Sequence, residues 1–177
     1  MLNHMVEYYK KSNITARLTF SRRQIVAGAF AILAGRPAVA ETTITGSKTI
    51  HQEEDFPAKP EKIYESLLDP AQFQAFTGSR AESSGAAGGV FSIFDGHIVG
   101  RHLELDPGRR IVQAWRVIDW PAGVYSIARF ELRAQGSGGR IVFEHTGFPP
   151  DLADHLASGW QQNYWQPLRK HLTHAAA

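Results

Sequence analysis

The chain is predicted to be an α+β domain in which a curved antiparallel sheet of about seven strands wraps a long C-terminal helix, with two short helices after the first strand. Three observations carry that expectation. From Arg80 to Thr146 the residues keep the two-residue period of strands and are cut by glycine-rich turn signals. From Asp151 to about His171, Leu152, Leu156, Trp160, Tyr164 and Leu168 recur every fourth residue, and Leu172 extends the row. Near the start, Ile63, Tyr64, Leu67 and Leu68 follow Pro60 at helical spacing.

The N-terminal segment stands apart from this pattern. Residues 1–40 carry six basic residues against Glu7 alone, so residues 41–177 hold 13 basic and 16 acidic ones, a net charge of −3 with histidines neutral. The basic character belongs to the leader, and the domain at 41–177 lacks the surplus that a nucleic-acid-binding surface requires. Within the leader, Arg22-Arg23 precedes an apolar run from Ile25 to Ala34, then Arg36-Pro37 and the small-residue pattern Ala38-Val39-Ala40. Ten residues fall short of the roughly 20 that span a bilayer as a helix. The segment resembles a twin-arginine export signal, which implies cleavage before Glu41, an exported or periplasmic destination and membrane contact only during export. Either Met1 or Met5 serves as the start. The chain contains no cysteine, which removes disulfides, thiolate nucleophiles and the usual structural zinc sites.

The first strand is expected over residues 42–52, rich in β-branched side chains, with the chain turning at Phe56-Pro57-Ala58-Lys59-Pro60. The helix opened by Pro60 stops at Asp69-Pro70, and a brief turn then sets Phe73 and Phe76 on one side. Six strands follow: Ala81 to Ser84, Val90 to Phe94, His97 to Leu105, Ile111 to Ile118, Val124 to Ala134 and Arg140 to Thr146. Asp95-Gly96 between two of them is a two-residue hairpin pair that tolerates positive φ. Arg109-Arg110 reads as a solvated guard on a sheet edge. In the closing helix Asp151 is the N-cap, Gly159 permits close approach to the sheet, and Pro167 bends the helix by removing the bond to Asn163.

Several phrases then carry a family resemblance. They are Phe56 to Tyr64, Gly88-Gly89-Val90-Phe91 with Asp95-Gly96, Ile111 to Arg116, His145-Thr146-Gly147-Phe148-Pro149, and Gly159-Trp160. Together they resemble the domain family named for the activator of heat-shock-protein-90 ATPase, over about residues 50–172. That resemblance implies the helix-grip fold of START and birch-pollen-allergen-like domains, a superfamily that includes polyketide cyclases. The family's best-known role is with a cytosolic chaperone, whereas this chain opens with an export-type leader.

A sheet wrapped on a helix encloses a cleft, and the strand alternation names its walls. Phe73, Phe76, Phe91, Gln113, Trp115, Ser126, Ala128, Phe130, Phe143, His145, Trp160 and Tyr164 are the candidate ligand-contacting residues. Val124 shares the strand face of Ser126, Ala128 and Phe130. Small side chains at 126 and 128 leave room for a ligand. The expected occupant is a small apolar molecule, a lipid or hydrophobic metabolite, with a protein partner as the alternative. No cofactor and no metal are implied.

Catalysis is the rival reading, of cyclase or hydrolase kind, and requires His102, Gln113 and His145 to converge. Glu144 adjoins His145 but points to the opposite sheet face, which breaks that dyad. Gly85-Ala86-Ala87-Gly88-Gly89 precedes a strand and lacks the lysine of a phosphate loop. Gly136-Ser137-Gly138 sits in a hairpin turn and is no nucleophile elbow. His171 and His174, three apart near a fraying end, do not make a rigid metal site.

Overall fold

The computed structural model describes residues 48–175; the leader over 1–40 and the opening residues of the expected first strand lie outside the described residues. Strand β1 spans Thr49–Phe56 and is followed by helices α1, Pro60–Leu68, and α2, Pro70–Thr77. Strands β2 (Glu82–Ser83), β3 (Val90–Ile93), β4 (Ile98–Asp106), β5 (Arg110–Val117), β6 (Ser126–Gln135) and β7 (Gly138–Thr146) complete the sheet. All neighbours are antiparallel, in the order β1-β7-β6-β5-β4-β3-β2. The long C-terminal helix comprises a 3₁₀ turn, Pro150–Leu152, helix α3, Ala153–Trp160, a π-helical turn, Gln161–Trp165, and helix α4, Gln166–Ala175. The predicted α+β helix-grip architecture is therefore present.

Strand β1 lies later than expected, with Thr49 opposite Thr146 and Phe56 opposite Gly139. Its run of charged and polar residues looked like the end of a strand, but each one has a partner. Arg140 pairs with Glu53 at 3.1 Å and with Asp55 at 2.7 Å on the outer face. On the inner face the C-terminal helix answers the polar groups. Gln52 donates to the Ala157 carbonyl at 3.0 Å and accepts from Trp165 Nε1 at 2.6 Å, and Gln161 donates to Glu54 at 2.6 Å.

Phe73 and Phe76 lie on the second of the two expected short helices, which runs to eight residues. Asp69 ends α1 and begins α2 at once, its carboxylate accepting from Gln72 N at 2.8 Å, and Gly78 at φ 75° closes the helix. Such a carboxylate cap satisfies one of the orphan amides of the new helix, so Asp69-Pro70 restarts helical structure as well as stopping it.

Asp95 at φ 57° and Gly96 at φ 87° take the positive φ expected of the pair, in a turn that His97 N closes on the Phe94 carbonyl at 3.1 Å, and Phe94 at φ 52° has itself left the strand. Buried Phe94 packs edge-on against Phe73 at 5.3 Å and Tyr164 at 5.3 Å. That burial offsets a left-handed backbone costing about 1–2 kcal/mol.

The expected edge guard is inside the sheet. Strand β5 lies between β4 and β6, and Arg110 bridges Glu104 at 2.6 Å and Glu131 at 3.6 Å, one on each neighbouring strand. Strand β6 begins at Ser126, so the half-buried Val124 precedes it.

The irregularity expected at Pro167 is a widened turn just before it. Gln166 N bonds back to Gln161 O, five residues away, along the π-helical stretch Gln161–Trp165. A ring at 167 crowds the carbonyl four residues earlier, and a wider turn relieves the crowding. It also turns two consecutive residues, Tyr164 and Trp165, into the core, where they are 5% and 0% exposed.

Gly159 is not a point of close approach, since a Cβ there would meet nothing nearer than Asn163 Nδ2 at 3.8 Å. Close approaches occur in the sheet instead, as at Gly139 in β7, where a Cβ would sit 2.8 Å from Ile63 Cδ1 and 2.9 Å from the Ala58 carbonyl.

Candidate functional site

The sheet's inward-facing residues and the C-terminal helix meet in one aromatic interior. Every one of the twelve residues expected to line a cleft is buried on this side. Trp160 is the hub, with ring centroids 4.3 Å from Phe143, 4.2 Å from Tyr164, 5.6 Å from Trp115 and 5.8 Å from Phe130. Phe73 extends the packing from α2 to Tyr164 at 5.8 Å and to Phe76 at 4.9 Å. These rings fill the cleft. Among the described residues a cavity of about 20 Å³ lies beside them, touched by Phe73, Phe91, Gln113, Phe130 and Tyr164. That volume holds a single water molecule.

Phe76, Trp115, Ser126, Ala128, Phe143, His145 and Trp160 lie away from that cavity, within the packed core. The space beside Ser126 is taken by His145, whose Nε2 stands 2.7 Å from Ser126 Oγ. Trp160 Nε1 donates to His145 Nδ1 at 3.1 Å, and an indole N–H has no acceptor capacity. The imidazole hydrogen is therefore on Nε2 and is donated to Ser126 Oγ, whose own hydrogen goes to the Trp115 carbonyl at 2.9 Å. Burial holds the His145 pKa down at about 3, so the ring is neutral at physiological pH.

This chain of donors decides what the serine and histidine can do. A nucleophilic serine donates its proton to a histidine acceptor. Here the direction is reversed, and both ring nitrogens are engaged. Glu144 faces outward on β7 and reaches Arg129 at 4.0 Å, so no carboxylate orients His145.

His102, expected only as part of the rival catalytic set, lines the cavity. His102 is 1% exposed, its Nε2 lies 2.9 Å from Ser83 Oγ, and Gln113 Nε2 stands 3.4 Å from its Nδ1. Burial lowers its pKa. Strand alternation alone could have placed it, because His102 pairs with inward-facing Gln113 across β4 and β5. Ser83 could not be found this way, since two-residue β2 shows no periodicity. His102 and Gln113 thus adjoin, while His145 bonds Ser126 and Trp160 instead, and the three do not form one hydrogen-bonded set. Among the described residues no cluster of three or more acidic or histidine groups could hold a metal.

The profile of the family described as "Activator of Hsp90 ATPase homolog 1-like protein" matches residues 57–173. The chain belongs to that family. Within it, the "Activator of 90 kDa heat shock protein ATPase homolog" of Dictyostelium discoideum is 31% identical over 118 residues, 66% of this chain and 31% of the relative. Homolog 1 of Homo sapiens is 27% identical over 118 residues, 67% of this chain and 35% of the relative. The chain thus spans about a third of the length of these curated relatives. The crystal structure of an HSP90 activator from Plasmodium falciparum superposes with a TM-score of 0.67 at 24% identity, over 71% of this chain and 96% of that one, which shows a shared fold.

Proposed function

We propose that the domain is a non-catalytic binding module that docks on a protein through its exterior, and that the chain is exported. The observation that carries the first part is the closed interior, where aromatic rings occupy the expected cleft beside a cavity of about 20 Å³. Pockets for small apolar ligands measure roughly 300–1,000 Å³. A lipid would have to displace the core around Trp160 before it could enter. The reversed hydrogen bond between His145 and Ser126 supports the absence of turnover. Family membership supports a protein as the occupant, since the named relatives are activators of another protein's ATPase.

The interior can be tested on the purified full chain with long-chain fatty acids or an apolar fluorescent probe. Ligands that bind only the folded state raise the melting temperature by mass action. No rise is expected. A saturable rise that Ala128→Trp abolishes would return the apolar-ligand reading and overturn this one. Export rests on Arg22-Arg23, the apolar run and Ala38-Val39-Ala40. Changing Arg22 and Arg23 together to lysine should retain the chain in the cytoplasm, and unchanged export would remove the twin-arginine reading.

A further inference from the structure

The outer face of the sheet is not uniform. Over β1, β7, β6 and the start of β5, acidic side chains are matched locally: Glu53 and Asp55 by Arg140, Glu104 and Glu131 by Arg110, and Glu144 by Arg129. Over β2 to β5 the pattern changes. A groove of about 680 Å³ crosses this half, lined by Val90, 59% exposed, Tyr125, 48% exposed, and the exposed Arg101 among others. Glu82 on β2 is exposed and makes no ion pair among the described residues. Next to groove-lining Tyr125, half-buried Arg116 of β5 reaches only backbone carbonyls, at Val117, Ile118 and Trp120, and stands 5.9 Å over the Tyr125 ring.

The register places these opposite charges in one row. Glu82 lies opposite Ser92, Ser92 opposite Val99, and Val99 opposite Arg116, so the row runs acid, small polar, apolar, base across four strands. Three strand spacings separate its ends by about 14 Å. A two-fold axis lying in the face, parallel to the strands and midway between β3 and β4, exchanges β2 with β5 and β3 with β4. It sets Glu82 of one copy over Arg116 of the other, twice, and lays Ser92 over Val99. Such self-complementarity is what an isologous contact requires.

We propose that this face, β2 to β5, docks on the same face of a second copy of the chain. The inference rests on the reading that the exterior is the working surface, and it names the occupant. Opposite charges across the contact fix its register and orientation, while Val90 and Val99 supply the apolar surface, Val90 lying over the stem of the exposed Arg101 of the other copy.

Sedimentation velocity of the full chain should show a concentration-dependent dimer. Glu82→Arg places like charges together at two symmetric points and should weaken the dimer at least about tenfold. Combining it with Arg116→Glu should restore association, because both pairs are then reversed. Since Arg116 also ties down the turn after β5, Val90→Lys provides an independent arm and should weaken the dimer with the melting temperature unchanged. A chain that stays monomeric at about 100 μM, or a dimer indifferent to both Glu82→Arg and Val90→Lys, overturns the proposal. Either result leaves protein docking standing, because that reading is judged by the closed interior and the melting of the ligand-treated chain.

Discussion

His145 sits at the end of its strand with one nitrogen given to Trp160 and the other to Ser126. Its partners are a donor-only indole and a hydroxyl already committed to a carbonyl, so the residue is an anchor between sheet and helix. Trp160 is the other half of the anchor, 2% exposed and ringed by aromatics. Trp160→Ala should cost about 3–5 kcal/mol, the range for deleting a large core ring. Trp160→Phe keeps most of the apolar contact and strands Nδ1, so its cost should be about 1–3 kcal/mol. Urea denaturation checks both, and a Trp160→Phe variant as stable as the parent would show that the hydrogen bond contributes nothing. Alternation had placed His145, Ser126, Ala128 and Phe130 on one face, because a half-buried strand writes its inward side into every second residue. What the rings do when they meet was illegible. The difference between an open cleft and a filled one is set by the rotamers and depth of Trp160, Phe143 and Phe130, which carry no one-dimensional signal.

At the scale of elements, the two glycines 139 and 159 separate what a sequence pattern suggests from what packing requires. Gly159 precedes a buried tryptophan and so invites a reading of close contact, yet its would-be Cβ has room. Gly159→Ala should therefore stabilise the domain by about 0.5–1 kcal/mol, the ordinary gain for removing glycine from a helix interior. Gly139→Ala should destabilise it by about 1–3 kcal/mol, because the added methyl meets Ile63 and the Ala58 carbonyl. Thermal unfolding of the two variants should shift in opposite directions; shifts of the same sign would refute the packing argument. The elements that were legible are those whose partners are repeated, namely the β4 to β7 meander and the long helix. Strand β1 was displaced in the reading because Gln52, Glu54 and Asp55 have partners far along the chain, in the helix and at Arg140. The π-helical turn was legible only as a disturbance near Pro167, since its cause also involves burying Tyr164 and Trp165 together.

Taken as a whole, the domain is built to be weakened by acid. His145, His97, His102 and His155 all have pKa values lowered by burial. A histidine held neutral in the fold but free to charge when unfolded makes the unfolded chain bind more protons. Its stabilising contribution is complete above about pH 6.5 and is lost as the pH falls towards the folded value, about 3 for His145. Each unit of acidification below pH 6.5 should cost about 1.4 kcal/mol from His145 alone. Chemical denaturation between pH 7 and pH 4.5 should show that loss, and His145→Gln should flatten the curve; an unchanged slope would place the effect elsewhere. The same interior gathers all four tryptophans of the chain, with successive ring centroids 5.6 Å apart from Trp120 to Trp115 to Trp160 to Trp165. Rings this close exchange excitation before they emit, so they act optically as a single chromophore. Its colour and intensity report on the inside of the molecule.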